Sequence, residues 1–508
     1  MLNHSLFHVL TTLLLAASPS ICLAQLTVAD IFSDHMVLQQ GQTVPVWGTG
    51  VAGQNIHVQF GNQTHVAAIG KDGKWLIELH PLKASAQPQQ LSIQSETQIT
   101  FKDVLVGEVW LASGQSNMGF TMKASAKNHD ATQTILDAAD YPLIRYRAVK
   151  TKENDNRQIR IGDGNPWTIC TTQTAANYSA VAFLFARRLH SELNVPIGII
   201  ESAWGGHPIE PFIPVEAFKS HPVLIKEFEL GRRKDIDGIR QMVGGVGARN
   251  NSWLPGTIFN SRIAPVAPYA IKGAIWYQAE SNCGTGEDPR FYSEKMKALV
   301  RGWRQAWNLG SLPVYYVQLP QYPAQGWVIM RDEQRRAMRE PHTGMAVTID
   351  LALDQIHPAN KIDVANRLVR WPLCFEYGKP LEVCGPMFQR IHIDGQHVTV
   401  EFDYVNKGLA TGQKKDLKPT RLTPSQTVHG FEVTDASGHW YKAQAQIEGK
   451  TVLCSSDQVQ HPVAVRYGWA PVIPQDEPWN LYNKAGLPAS PFISDSQLII
   501  YEPEIISP

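Results

Sequence analysis

Four short polar clusters in this chain carry the residue types needed to move an acyl group. The first is Gly114-Gln115-Ser116-Asn117. A serine hydroxyl such as that of Ser116 is a weak nucleophile until a base takes its proton. A tight strand-to-helix turn would expose the oxygen, and backbone N–H groups of the turn could bind an oxyanion. The competing reading is a helix cap, a common post for serine. The second cluster is Trp204-Gly205-Gly206-His207-Pro208. Gly205 and Gly206 would let a backbone N–H approach a ligand with no side chain in the way; a turn requiring positive φ explains them equally well. The third is Trp276-Tyr277-Gln278-Ala279-Glu280-Ser281-Asn282, in which Gln278 could offer its amide to a developing oxyanion while Glu280 and Asn282 brace the loop. The fourth is Asp350-Leu351-Ala352-Leu353-Asp354-Gln355-Ile356-His357-Pro358. A carboxylate three residues before a histidine, as Asp354 is before His357, can hold the imidazole in one tautomer and stabilise its cation. His207 is a rival base, but only His357 has an orienting carboxylate close in sequence. Metal binding by Asp and His is the other reading of this cluster. It lacks a suitable third ligand nearby, so neither a metal nor another cofactor is expected.

These clusters share a position: each follows a segment that reads as a strand. Residues 104–111, 197–200, 271–276, 314–317 and 345–349 are apolar runs of the kind found in buried parallel strands. Helical segments alternate with them. Residues 179–193 form one amphipathic pattern, and Tyr292, Met296, Leu299, Val300, Trp303 and Trp307 mark the apolar face of another. A third helix is expected after Pro358, through Val364, Leu368 and Trp371. Five strands with helical crossovers predict an open α/β sheet, whose ligands gather at the carboxyl ends of the strands. On either side the pattern is β-rich. Residues 25–103 contain short alternating runs at 44–48, 55–60 and 74–79, and residues 385–508 contain others at 392–393, 397–402 and 451–453. The predicted organisation is a leader (1–24), a small β-sandwich (25–103), an α/β unit (104–384), and a C-terminal β-rich unit with an irregular tail (385–508).

Bulk properties narrow the partners. Lys plus Arg equals Asp plus Glu at 46 each, so no overall field draws in nucleic acid or an anionic membrane. Residues 9–17 are a short apolar core, broken at Pro19 and followed by small residues before Gln25, which reads as a cleavable export signal. The core is too short to span a bilayer, and no later segment holds about 18 consecutive apolar residues. A secreted or periplasmic protein is expected. Of six cysteines, five follow the leader, and Cys374 and Cys384 are a candidate disulfide in an oxidising compartment. Oligomeric state is left open.

The ordered set of clusters resembles the SGNH hydrolase superfamily and, within it, the sialate O-acetylesterase family. The similarity begins at Phe32-Ser33-Asp34-His35-Met36 and Pro45-Val46-Trp47-Gly48. It continues through residues 104–118, 198–210 and 273–282 to Ile356-His357-Pro358-Ala359-Asn360-Lys361, and ends at 462–469 and 486–492. The resemblance implies a three-layer α/β/α fold with a five-stranded parallel sheet and flanking small β-sandwich domains. It implies Ser116 as nucleophile, His357 as general base and then acid, and Asp354 as orienting carboxylate, with Asp350 as its competitor. Ser116, Gly205, Gly206 and Gln278 would form the oxyanion hole. The implied substrate is O-acetylated sialic acid. Alternatives are an esterase of plant polysaccharide such as acetylxylan and, in another class, an inactive glycan-binding protein. Three residues depart from the family pattern: Ala279 where glycine is usual, His207 where threonine is expected, and Gly119 where glutamate is usual. A sialic acid also requires a cationic side chain for its carboxylate, and Arg331 is a candidate.

Overall fold

The computed structural model describes residues 25–235, 237–238, 254–283, 288–324, 326–351 and 355–500. The expected leader (1–24), the end of the C-terminal tail (501–508) and Asp354 lie outside the described residues.

The sheet at the centre is built on strand β1 (Gln98–Gly114), followed by β2 (Tyr141–Ala148), β3 (Thr168–Cys170), β4 (Ile197–Ala203), β5 (Gly273–Tyr277), β6 (Val314–Val317) and β7 (Thr343–Ala346). Its spatial order is β3-β2-β4-β1-β5-β6-β7. The pairs β2·β4, β4·β1, β1·β5, β5·β6 and β6·β7 are parallel, and β3 pairs antiparallel with β2 at one edge. All five expected strands are present, but the parallel set has six members. The unforeseen strand is β2, whose sequence Tyr-Pro-Leu-Ile-Arg-Tyr-Arg-Ala mixes charge into the run. Its two arginines are neutralised in place: Arg145 pairs with Asp103 at 2.6 Å and Arg147 with Asp163 at 2.7 Å. An apolar-run criterion passes over such a strand.

From Val104 to Gly114 every residue of β1 is buried, because helices and loops cover both faces of the parallel sheet. The crossover helices match the sequence periodicity. In α1 (Ala180–Leu193), Ser179 caps the N-terminus by accepting from the Ala182 N–H at 3.1 Å. Asn194 ends it in the left-handed region at φ 54°. In α2 (Tyr292–Trp307) the predicted apolar face is buried throughout, from Tyr292 to Trp307. Each such large side chain contributes about 1.5–3 kcal/mol of transfer free energy. Helix α3 (Lys361–Leu368) follows the fourth polar cluster, and the Asn360 side chain caps it by accepting from the Asp363 N–H at 3.1 Å.

The β-rich segments frame this sheet. Alternating burial in Asn55–Phe60 and Lys74–Leu79 confirms the period-two reading, with Ile56, Val58 and Phe60 inward in the first and Trp75, Ile77 and Leu79 in the second. Strand β1 also belongs to this region. Up to Val106 it pairs antiparallel with Ser85–Gln94, from Glu108 it pairs parallel with β4, and from Trp110 with β5 as well. The change of character at residue 104 therefore falls inside one continuous strand, which is shared by the N-terminal β-layer and the central sheet. In the C-terminal part, Met387–Asp394, His397–Asp403, Thr451–Ser455 and Gln444–Glu448 make one four-stranded sheet, with a second four-stranded and a three-stranded sheet beside it. The expected Cys374–Cys384 disulfide is not formed; both are free thiols, and Cys384 is buried among apolar groups. Among the described residues no helix is long and apolar enough to cross a membrane.

Candidate active site

Strand β1 lies between β4 and β5, so the loops leaving these three strands are neighbours at their carboxyl ends. This is where chain order reverses direction across the sheet, and such a switch point opens a crevice. The first three polar clusters occupy those loops. The turn after β1 depends on Gly114, at φ 137°, because a Cβ there would sit 2.1 Å from the Tyr277 carbonyl oxygen. Only glycine lets β1 pass the end of β5 this closely. The following helical turn, Ser116–Gly119, takes Gln115 as its N-cap without a side-chain hydrogen bond. Ser116 is therefore inside the turn, half-exposed, and the cap reading is excluded.

The fourth cluster arrives from β7, three strands away from β1 in the sheet, and crosses back over the site. Two hydrogen bonds pin this crossing: Ser125 Oγ donates to the Ala359 carbonyl at 2.6 Å, and Asn117 Nδ2 donates to the Ile356 carbonyl at 2.9 Å. His357 is thereby held with Nε2 2.8 Å from Ser116 Oγ. The Phe120 ring stacks on the imidazole, with centroids 5.6 Å apart and planes 14° from parallel. Burial and the nearby Lys361 ammonium hold the His357 pKa below its ordinary value, which favours the neutral, proton-accepting ring. His207, the rival base, faces elsewhere: its Nδ1 lies 2.9 Å from the Gly205 carbonyl oxygen, and its ring packs on Trp204.

Gly205 and Gly206 are exposed, and Gly206 has φ 73°. A Cβ added at Gly205 would point at Ser116, 3.5 Å from its Cβ. The Gly205 backbone thus lies directly beside the candidate nucleophile. Gln278 is fully buried below this surface. Its amide donates to Gln115 Oε1 at 3.0 Å and Asn282 Oδ1 at 2.7 Å, and its carbonyl accepts from the Tyr292 hydroxyl at 2.7 Å. In this arrangement the amide hydrogens brace the residue preceding Ser116. Ala279 is fully buried as well, so its methyl group does not narrow the exposed crevice.

A buried polar group links three of these clusters, next to Ser116 in the chain. Asn117 bridges Lys361 and Glu280: its Oδ1 accepts from Lys361 Nζ, and its Nδ2 donates to Glu280 Oε1. The Lys361 ammonium also stands 5.3 Å from the ring centroids of both Phe120 and Tyr277. Burial pulls its pKa down to about 7, against the opposing pull of Glu280. Burial likewise pushes the Glu280 carboxyl up, while its hydrogen bond from Asn117 works the other way. Lys361 stands four residues after His357 within the Ile356–Lys361 motif, a proximity the sequence displays without revealing the contact. Arg331, the candidate receptor for a substrate carboxylate, is fully buried, with Nη1 and Nη2 donating to the Ala470 and Pro471 carbonyls at 3.1 and 2.5 Å. Its guanidinium is spent inside the fold.

Comparison with known proteins identifies relatives of this chain. Residues 106–368 match the family model described as carbohydrate esterase, sialic acid-specific acetylesterase. The human sialate O-acetylesterase is 28% identical, covering 92% of each chain. The rat enzyme is 27% identical, covering 91% of this chain and 93% of its own. Among solved structures, a carbohydrate acetylesterase from Xanthomonas citri superposes with a TM-score of 0.78 at 31% identity, covering 92% of this chain and 99% of that one. The matched segment includes all four polar clusters. The chain is a carboxylic ester hydrolase and belongs to the carbohydrate esterase family of sialic acid-specific acetylesterases.

Proposed function

We propose that this protein is an exported serine esterase that removes O-acetyl groups from sialic acid. The observation that carries the mechanism is the 2.8 Å contact between Ser116 Oγ and His357 Nε2, beside an exposed diglycine turn. His357 takes the Ser116 proton as the hydroxyl attacks the acetyl carbonyl. The tetrahedral oxyanion is received by the backbone N–H groups of Ser116 and of Gly205 or Gly206. The imidazolium then protonates the departing sugar oxygen, which leaves as the free hydroxyl and gives an acetyl-enzyme. Water, deprotonated by His357, releases acetate and restores the serine. Asp354 steadies the His357 cation in this scheme. Gln278 holds Gln115, and through it the Ser116 turn; it would join the oxyanion hole by releasing Gln115.

The assignment to sialic acid is supported by similarity to the sialate O-acetylesterases across nine-tenths of the chain. Export is supported by the apolar core at residues 9–17. The β-rich segments 25–103 and 385–508 serve as framing domains around the acyl-transfer unit, 104–384. The deciding experiment measures acetate release from O-acetylated sialic acid and from acetylated xylan with the same enzyme. Preference for the sialic acid is expected. Faster release from xylan would assign the chemistry to a neutral polysaccharide, and no release from either, with a fluorophosphonate probe failing to label Ser116, would reject the serine mechanism.

A further inference from the structure

Hydrolysis of a sialic acid ester at Ser116 requires a cation for the sugar carboxylate, and Arg331 is spent elsewhere. Arg262 meets the requirement. It lies in a five-residue π-helix, Phe259–Ile263, a backbone form concentrated at functional sites. Its side chain is 7% exposed. Nε donates to the Thr151 carbonyl at 2.7 Å and Nη1 to the Ala203 carbonyl at 3.0 Å. The guanidinium carbon stands 3.9 Å from the centroid of the half-exposed Trp204 ring. Ala203 and Trp204 lead directly into Gly205, which packs against Ser116. Arg262 is thus fastened to the rim of the candidate oxyanion site.

The guanidinium has no counter-ion in contact. Among the described residues no carboxylate lies within 4 Å of it. Glu201, Asp163 and Glu153 act on it only at longer range. Asp163 is paired with Arg147. Glu201 accepts the Ala203 N–H at 3.0 Å, and burial pushes its carboxyl toward the neutral form. Burial also pulls the Arg262 pKa down, to about 10, which leaves a full cation at neutral pH. Nη2 finds no acceptor among the described residues. A buried guanidinium is costly to keep without an anion, and its planar donor edge suits a carboxylate.

We propose that Arg262 is the receptor for the carboxylate of an acidic sugar whose acetyl group is presented to Ser116. The inference rests on the sialic acid reading above and extends it to the residue that selects the substrate. Trp204 fixes the guanidinium plane and presents its ring to the sugar, while Nη2 donates to the carboxylate.

The test compares 9-O-acetyl-N-acetylneuraminic acid with its methyl ester, which removes the charge and keeps the acetyl group. Wild-type enzyme is expected to favour the free acid by about tenfold to a hundredfold in kcat/KM, the range for a hydrogen bond to a charged group. In Arg262→Met that ratio falls to about one, and Arg262→Lys restores part of it. Because the readout is a ratio within one protein, it is independent of the fraction that folds. Binding of N-acetylneuraminic acid and its methyl ester to Ser116→Ala by calorimetry repeats the comparison without turnover. A wild-type ratio of one, or an unchanged ratio in Arg262→Met, overturns the Arg262 assignment while leaving the esterase reading intact. Acetate release from acetylated xylan alone, with no binding of N-acetylneuraminic acid, overturns both the substrate reading and the receptor.

Discussion

Asp350 is closed around Arg367, with Oδ1 2.5 Å from Nη1 and Oδ2 3.0 Å from Nη2, and its Oδ2 also accepts from the Tyr482 hydroxyl at 3.2 Å. The arginine is fastened in turn to the Val347 carbonyl at 2.8 Å. A carboxylate committed in this way joins the end of β7 to α3 and to the C-terminal sheets, and no hydrogen bond links it to His357. Two aspartates of one cluster therefore have separable expected effects. Asp350→Asn should lower the melting temperature, because it leaves Arg367 buried without its partner at a cost of about 3–5 kcal/mol. Asp354→Asn should leave melting nearly unchanged and lower kcat by about 10⁴ through loss of the correct imidazole tautomer. Thermal unfolding and acetate-release kinetics on both variants check the pair. The opposite pattern would assign the orienting role to Asp350.

Ser116→Ala should reduce acetate release on the order of a millionfold, the scale seen when a serine nucleophile is removed from a triad. Labelling by a fluorophosphonate should vanish with it. Retained activity in the purified variant would exclude the Ser116–His357 mechanism.

With His357 as the proposed base, the acid limb of kcat/KM should report its titration. Protonation disables it, and burial together with Lys361 holds its pKa below the ordinary histidine value. Lys361→Met removes a positive neighbour, so the imidazolium becomes easier to form and the pKa rises. Activity should then be lost at a higher pH than in the wild type as the solution is acidified. A pH profile whose acid limb stays in place, or moves down, would show that Lys361 exerts no field on the base.

Gln278 and Gln115 share a hydrogen bond of 3.0 Å directly behind Ser116. If bracing of the turn is the contribution of Gln278, then Gln278→Ala and Gln115→Ala should each lower kcat, and the double variant should lose little more than either alone. Contacting residues of one network show such coupling, at about 0.5–3 kcal/mol. A Gln278→Ala loss of about 10²–10³ that adds in full to that of Gln115→Ala would instead identify a direct oxyanion donor.

Much of this molecule was legible from local pattern. The runs at 104–111, 197–200, 271–276, 314–317 and 345–349 are apolar because the parallel strands they overlap are buried on both faces, and that signal needs no tertiary knowledge. Helix α2 announced itself through one apolar face. Strand β2 was hidden because Arg145 and Arg147 find their carboxylates at Asp103 and Asp163, and such pairing is visible only after folding. The Cys374–Cys384 pair fails for the converse reason: nearness in sequence does not bring two thiols into bonding geometry.

By itself, then, the sequence determined the order of elements, the residue types at the ends of the strands, and the family. Each of these depends on short-range periodicity or a contiguous motif. Only the tertiary structure decided which of those residues meet. It placed His357, 241 positions along the chain, 2.8 Å from Ser116 while His207 packs on Trp204, and it spent Asp350 on Arg367. It also turned Arg331 inward and left Arg262 charged and without a contacting carboxylate among the described residues, beside the diglycine turn. Charge pairing and hydrogen-bond partnership are properties of three-dimensional neighbourhoods, and identical arginines acquire opposite roles from where the fold places them.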